Sequence, residues 1–159
     1  KKLQYFDPEL GESYIPYVVE TSIGLDRMFL TVLSHSFQEE QLENGESRVV
    51  LKIPAILSPI KAAILPLTKK DGMPEKAREI MKMLQIDFNC QYEEKDSIGK
   101  RYRRQDAIGT SFCITVDHKT LEDNTVTLRD RDTMEQERVS IEKLHSIIAE
   151  KVNISKYLI

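Results

Sequence analysis

Cysteine is scarce. The 159 residues hold two, Cys90 and Cys113, far apart and in no CxxC or Cys/His spacing. Neither a zinc site nor a disulfide framework is expected, and both read as buried strand residues. Proline and glycine are few, six of each, and with 40% hydrophobic and 31% charged residues this separates the chain from disordered and fibrous classes. No apolar stretch approaches the roughly 20 residues of a membrane-spanning helix, and the Lys1-Lys2 pair is not followed by an apolar core and cleavage site. A cytoplasmic protein with no membrane partner is expected. Excess positive charge is lacking too. A net charge of −3 excludes a protein that coats nucleic acid by charge alone, because nonspecific affinity grows with the number of phosphates neutralised. Any nucleic-acid contact has to be local. The chain opens without Met, in residues that read as a loop, and is expected to be a fragment, long enough for one domain plus a piece of another.

Residues 1–14 are polar with turn formers, Asp7-Pro8 and Gly11, and lead into the apolar run Ile15-Pro16-Tyr17-Val18-Val19, which reads as loop into strand. From Gly24 the period changes. Leu25, Met28, Phe29, Val32, Leu33 and Phe37 recur at helical spacing, and Asp26 sits in the first turn, where it suits the helix dipole. Residues 38–47 lose periodicity and carry acidic residues with Asn44-Gly45. The organisation predicted is the end of one domain over 1–40, a linker over 41–47 and a second domain over 48–159.

In the second part, strands are predicted at Arg48–Ile53, Ala62–Leu67, Phe88–Tyr92, Phe112–Asp117 and Thr125–Asp130. A helix opens at Asp71-Gly72-Met73-Pro74-Glu75 and buries Ala77, Ile80, Met81 and Leu84; a basic one runs from a Ser97 cap to Ile108 and stops at Gly109. A last helix carries Ile141, Leu144, His145, Ile148 and Ala149 on one face, and His118–Asn124 reads as a polar turn. The fold class is α/β, a mixed sheet packed with about three helices.

Two segments carry chemistry. In Pro16–Arg27 a carboxylate, a hydroxyl, a glycine and an arginine surround one strand-to-helix turn. On an extended strand Glu20 and Ser22 leave by the same face and suit an ammonium; Gly24 admits close approach of a ligand, and Arg27 can clamp a polyphosphate. The same residues are equally readable as a Glu20–Arg27 ion pair beside a glycine that ends a strand. In 96–117, Lys100, Arg101, Arg103 and Arg104 surround Tyr102, placing phosphate contacts next to a ring, as single-stranded RNA requires. A solvated charged face is the other reading. No Gly-rich phosphate loop is present.

The run Pro16-Tyr17-Val18-Val19-Glu20-Thr21-Ser22-Ile23-Gly24-Leu25-Asp26-Arg27 resembles motif 3 of class II aminoacyl-tRNA synthetases, an apolar strand followed by Gly-x-x-Arg opening a helix. Its Glu-x-Ser resembles the glycine enzymes. Asp96–Asp117 and the Thr127-Leu128-Arg129-Asp130-Arg131-Asp132 run are similar to the C-terminal domain of glycyl-tRNA synthetases, over roughly residues 49–150. The resemblance implies a class IIa anticodon-binding domain preceded by a strand-turn-helix remnant of the catalytic domain. It implies that Glu20, Thr21, Ser22, Ile23 and Gly24 bind glycine, that Gly24, Leu25, Asp26 and Arg27 bind ATP, and that Arg27 is catalytic. It implies that Lys100, Arg104, Asp117, His118, Arg129 and Arg131 bind the anticodon. The activity implied is ATP-dependent attachment of glycine to its tRNA through glycyl-adenylate. ATP and Mg²⁺ would be held by the intact enzyme, a homodimer, and none by this piece, which would be inactive alone. Thr21 and Ser111 depart from the proline usual in the family, which loosens two turns. A non-catalytic RNA-binding or accessory subunit, or a synthetase for histidine, proline or threonine, stays open.

Overall fold

The computed structural model describes residues 3–42 and 45–158. Asn44, expected in the linker turn, and the Lys1-Lys2 pair lie outside the described residues. The chain forms two compact units, Lys1–Leu30 and Thr31–Ile159.

The first unit opens with a hairpin, β1 (Tyr5–Asp7) antiparallel to β2 (Glu12–Tyr14). A loop was expected here, and its turn formers are what close the hairpin. The Asp7 carboxylate accepts from the Glu9 and Leu10 amides, Gly11 takes φ 68°, and Tyr5 meets Tyr14 edge-on across the pair at 5.8 Å. The strand predicted over Ile15–Val19 does not form. Residues 15–24 have no regular structure and are exposed, because an extended segment gains a ladder only from a neighbouring strand. Helix α1 (Leu25–Ser36) follows as expected, with Asp26 in its first turn, but its apolar stripe is open to solvent at Leu25, Met28 and Phe29.

In the second unit α1 passes directly into β3 (Phe37–Gln41), which pairs with β4 (Ser47–Leu51). The predicted linker, 41–47, thus begins on the last residue of β3 and ends on the first of β4. Glu40 of β3 holds two cations, Arg48 at 3.1 Å and Lys52 at 2.5 Å, so the acidic character that suggested a linker supplies cross-strand partners. Five strands then build one sheet: β5 (Ala62–Pro66), β6 (Cys90–Tyr92), β7 (Phe112–Val116), β8 (Thr125–Asp130) and β9 (Gln136–Ser140), in the order β6-β5-β7-β8-β9. β5 is parallel to β6 and β7, and β8 runs antiparallel to β7 and β9. β5 and β7 are buried at every position, which explains their unbroken apolar runs. Their thiol behaves as a core group: burial pushes Cys113 up to about 12, and Cys90 at the sheet edge up to about 11, so both stay protonated.

One face of the sheet is covered by α2 (Met73–Leu84) and α5 (Leu144–Lys151). Met73, Ala77, Ile80, Leu84, Leu144 and Ile148 pack on Ile64, Ile114, Val126 and Leu128, each large side chain contributing about 1.5–3 kcal/mol. The other face carries α3 (Ile98–Ile108), whose Ile98 and Tyr102 lie on Ala63, Leu65 and Cys113. Ser97 occupies the N-cap of α3 but makes no side-chain cap bond. Gly109 ends it at φ 81°, where a Cβ would meet Ile53 Cγ2 at 3.0 Å and the Leu51 carbonyl at 3.1 Å. Both the backbone and the packing demand glycine there.

Two further elements were not expected. The polar turn at His118–Asn124 is a helix, α4 (His118–Asp123), begun by a capping box in which Asp117 Oδ1 accepts from the Thr120 amide at 3.0 Å and Thr120 Oγ1 accepts from the Asp117 amide at 3.1 Å. Strand β9 is the polar edge of the sheet and lacks the apolar alternation that marks its neighbours.

Candidate nucleic-acid interface

β5 leads through α2 to β6 on one side, and β6 leads through α3 to β7 on the other. The carboxyl ends of β5 and β7 are therefore a topological switch point, where open α/β sheets place their ligands. Asp117 and His118 emerge from the end of β7, and α3 begins at the same end of the sheet, because its Arg101 reaches the carbonyls of Pro66 and Leu67.

The four cations around Tyr102 have different fates. Arg101 is buried and donates to the carbonyls of Pro66 at 2.7 Å and Glu93 at 3.2 Å, so it fastens strand ends. Arg104, an expected anticodon contact, is held by Glu93 at 2.6 Å, Asp96 at 2.9 Å and the Lys95 carbonyl at 2.7 Å. Lys100 and Arg103 remain at the surface, beside the half-buried Tyr102. The Tyr102 hydroxyl bonds Thr115 Oγ1 at 2.6 Å, burial pushes its phenol up, and Arg129 lies 4.9 Å from the ring centre.

Arg129 and Arg131, expected to contact RNA, are both engaged by partners within the protein. The alternation of β8 turns Arg129 toward α3, opposite Cys113, where its guanidinium grips Asp106 in a two-point pair at 2.7 and 3.0 Å. Asp106 is wholly buried and has a second partner, Arg48 Nε at 3.0 Å; that contact is ionic, since the N–H is not aligned as a hydrogen bond. Arg131 turns inward to the carbonyls of Gly109 at 2.9 Å and Ile53 at 2.7 Å. Both arginines are 3% exposed, and Arg129 contributes to the floor of a cavity on the α3 side.

Asp117 is occupied as well. Beside capping α4 it takes Arg138 in a two-point pair at 2.6 and 3.0 Å, and Arg138 spends its remaining donors on Thr125 and Thr127. Burial raises the Asp117 carboxyl, but the bonds from Arg138 and Thr120 outweigh it and hold the group below the ordinary range. His118 is exposed in the first turn of α4. His145, left as structural in the sequence, pairs with Asp87 at 2.8 Å against Phe88.

Of the synthetase-like segment, Glu20, Thr21, Ser22, Ile23 and Gly24 lie in the irregular stretch, and Leu25, Asp26 and Arg27 open α1. Without a strand the same-face convergence of Glu20 and Ser22 is not formed. Arg27 folds back over Gly24, where a Cβ would sit 3.8 Å from its Cγ and Cδ. Among the described residues no group of three or more His, Cys, Asp and Glu could hold a metal ion.

Two cavities differ in sign. One, about 190 Å³, lies by α5 and is lined by Asp130, Glu135 and Glu137 against one cation, Lys151. The other, about 500 Å³, opens on the α3 side between Gly99, Lys100, Tyr102, Arg103, Met134 and Gln136, above Arg129, with Glu46 at its rim. It falls within the roughly 300–1,000 Å³ of ligand sites. Gly99, Met134 and Gln136 were not singled out in the sequence. The signal was there for the helix: positions 99, 102, 103 and 106 follow i, i+3, i+4, i+7 and share one face.

The family description "Anticodon binding domain" matches residues 61–151. Glycine–tRNA ligase of Clostridium tetani is 53% identical over 152 residues, covering 96% of this chain and 32% of the relative. That of Chlorobaculum tepidum is 52% identical over 152 residues with the same coverage, and that of Borrelia hermsii is 48% identical, covering 96% and 34%. The chain thus spans about a third of the length of the curated relatives it matches. In fold it is similar to the RNA-binding domain of threonyl-tRNA synthetase from Cryptosporidium parvum Iowa II, with a TM-score of 0.58 at 24% identity, over 63% of this chain and 25% of that one.

Breaking the buried pair by Arg129→Met is expected to cost about 3–5 kcal/mol, because it leaves the Asp106 carboxylate short of its two-point partner; urea unfolding measures it. The Asp117–Arg138 pair carries a pH signature. A carboxylate whose folded value is depressed stabilises fully above its unfolded value, about 3.9, and loses that contribution as pH falls through the lower folded value. The stability gap between the protein and Arg138→Gln should be flat from about pH 5 to 8 and narrow below about pH 4.

Proposed function

We infer, for a chain that belongs to the anticodon binding domain family over residues 61–151, that this domain binds the anticodon loop of a tRNA, that for glycine. The observation that carries the reading is the match of that family across the whole five-stranded sheet, together with about 50% identity to glycine–tRNA ligases. The physical support is local. With a net charge of −3, affinity has to come from a few placed cations, and an exposed Lys100 and a half-buried Arg103 stand beside Tyr102 at the open side of α3. An exposed His118 at the switch point adds a planar group able to stack on an unpaired base. Sequence reading of the loop rests on base edges and stacking, and phosphate contacts set the register.

The larger reading is that this chain serves within a glycine–tRNA ligase. Its Glu20 and Ser22 would orient the amino group of glycine, and the Arg27 guanidinium would bind the triphosphate of ATP by charge-assisted hydrogen bonds. Their donor and acceptor types fit those groups. The glycine carboxylate would attack the α-phosphate, pyrophosphate would leave, and the glycyl group would pass to the tRNA 3′ end, with no protein nucleophile.

Two measurements test this. The chain should bind a synthetic glycine anticodon stem-loop more tightly than stem-loops with other anticodons at the same salt; equal affinity for all of them would remove the anticodon reading. In the longer enzyme, Arg27→Ala should lose about 3 kcal/mol of transition-state stabilisation, read as ATP–pyrophosphate exchange; near-normal exchange would remove Arg27 from the reaction.

A further inference from the structure

Gly99 stands in the first turn of α3 without being asked for by anything in the chain. Its backbone is helical, outside the left-handed region, and a Cβ placed on it would meet nothing within 4 Å. The contrast is Gly109 at the other end of the same helix, required by φ 81° and by Ile53 and Leu51 pressed against it. A glycine in a helix forgoes stability relative to alanine, and of its uses, sharp backbone, tight packing or close approach of a ligand, only the last is left for Gly99.

The surroundings name the ligand's chemistry. Gly99 lines the 500 Å³ cavity, so the space a side chain would fill is the space that opens to solvent. Lys100, Tyr102 and Arg103 line it with Gly99, as do the exposed Gln136 at the start of β9 and Met134 in the β8–β9 turn. Two cations favour a phosphate, while a ring, a polarisable thioether and an amide with both donor and acceptor favour a planar, hydrogen-bonding base. Glu46 opposes from the rim, 3.9 Å from Arg103, whose guanidinium also lies 3.8 Å from Asp106. The acidic cavity beside α5 has no comparable cations.

Resting on RNA binding as the domain's function, we propose that the Gly99 cavity receives one nucleotide of the single-stranded loop. Its phosphate lies against Lys100 and Arg103, and its base enters over Gly99 toward Tyr102, Met134 and Gln136. Gly99 is then a specificity element: its missing side chain is the entrance.

The test is the affinity of the chain for a synthetic glycine anticodon stem-loop, with Gly99→Leu, Gly99→Ala, Lys100→Gln and Arg103→Gln, each checked by thermal unfolding. Gly99→Leu should weaken binding at least about ten-fold and Gly99→Ala about three-fold, with melting temperatures unchanged or raised, since both residues favour helix more than glycine does. Lys100→Gln and Arg103→Gln should each lower the slope of log affinity against log salt by about one. If the parent chain binds and both Gly99 variants bind equally well, the cavity assignment is wrong while the RNA reading stands. If Gly99→Leu changes the oligomeric state and leaves RNA affinity intact, the glycine serves a protein contact and the proposal falls. Absence of binding by the parent chain itself would overturn the RNA reading and this proposal with it. Should Gly99→Leu unfold, Gly99→Ala decides between them.

Discussion

Asp106 is a carboxylate with no access to water, and two guanidinium groups that have almost none converge on it. Desolvating three charges is costly, and the cost is offset here only because Arg129 supplies two aligned bonds and Arg48 a third contact. The contacts do not stop at the carboxylate. Arg48 sits on β4 and also reaches Glu40 and the Arg131 carbonyl; Arg131 in turn holds Gly109 and Ile53. A hairpin outside the main sheet, the end of α3 and the far end of β8 are therefore one electrostatic unit. Apolar packing brings α3 to the sheet, but this network fixes its rotation, and the rotation decides which residues α3 shows to solvent. Arg101, Gln105 and Asp106 are turned into the protein, and Gly99 and Lys100 are left at the surface.

The same network explains why an arginine in a sequence says little about what it does. Arg48, Arg101, Arg129 and Arg131 are buried, while Arg103 is half-buried, 3.8 Å from Asp106 and 3.9 Å from Glu46. Sequence alone put Arg101 and Arg103 in one basic cluster, and the resemblance added Arg129 and Arg131 as RNA contacts. Their separation depends on partners distant in sequence: Asp106 for Arg129, Gly109 for Arg131, Pro66 for Arg101. A periodic reading of α3 would have sorted Arg103 from Arg101, yet no local rule finds Asp106 under Arg129.

Elements whose burial is periodic were legible. The stripe of α2, the runs of β5 and β7 and the Gly109 stop of α3 each carry their cause in neighbouring residues. The elements not foreseen are the ones held by polar bonds. α4 is six residues long and owes its start to one aspartate and one threonine; β9 is an edge with one neighbour; the β1–β2 pair is closed by Asp7. The opposite error, a strand drawn over Ile15–Val19, has the same root. Hydrophobicity marks what is suited to burial, and pairing requires a second strand.

The parallel arrangement of the sheet also bears on how the chain reaches its folded state. Ala62 pairs with Cys90 and with Phe112, 28 and 50 residues later by subtraction of their positions. Within the main sheet β5 is therefore made first, and it waits through α2 for one neighbour and through α2 and α3 for the other. Long-range parallel pairing of this kind is slow and leaves unpaired apolar strand exposed meanwhile. Anything that delays α3, including an unneutralised Asp106, lengthens that interval, so yield from the ribosome should be more sensitive to the polar network than the equilibrium stability of the finished domain.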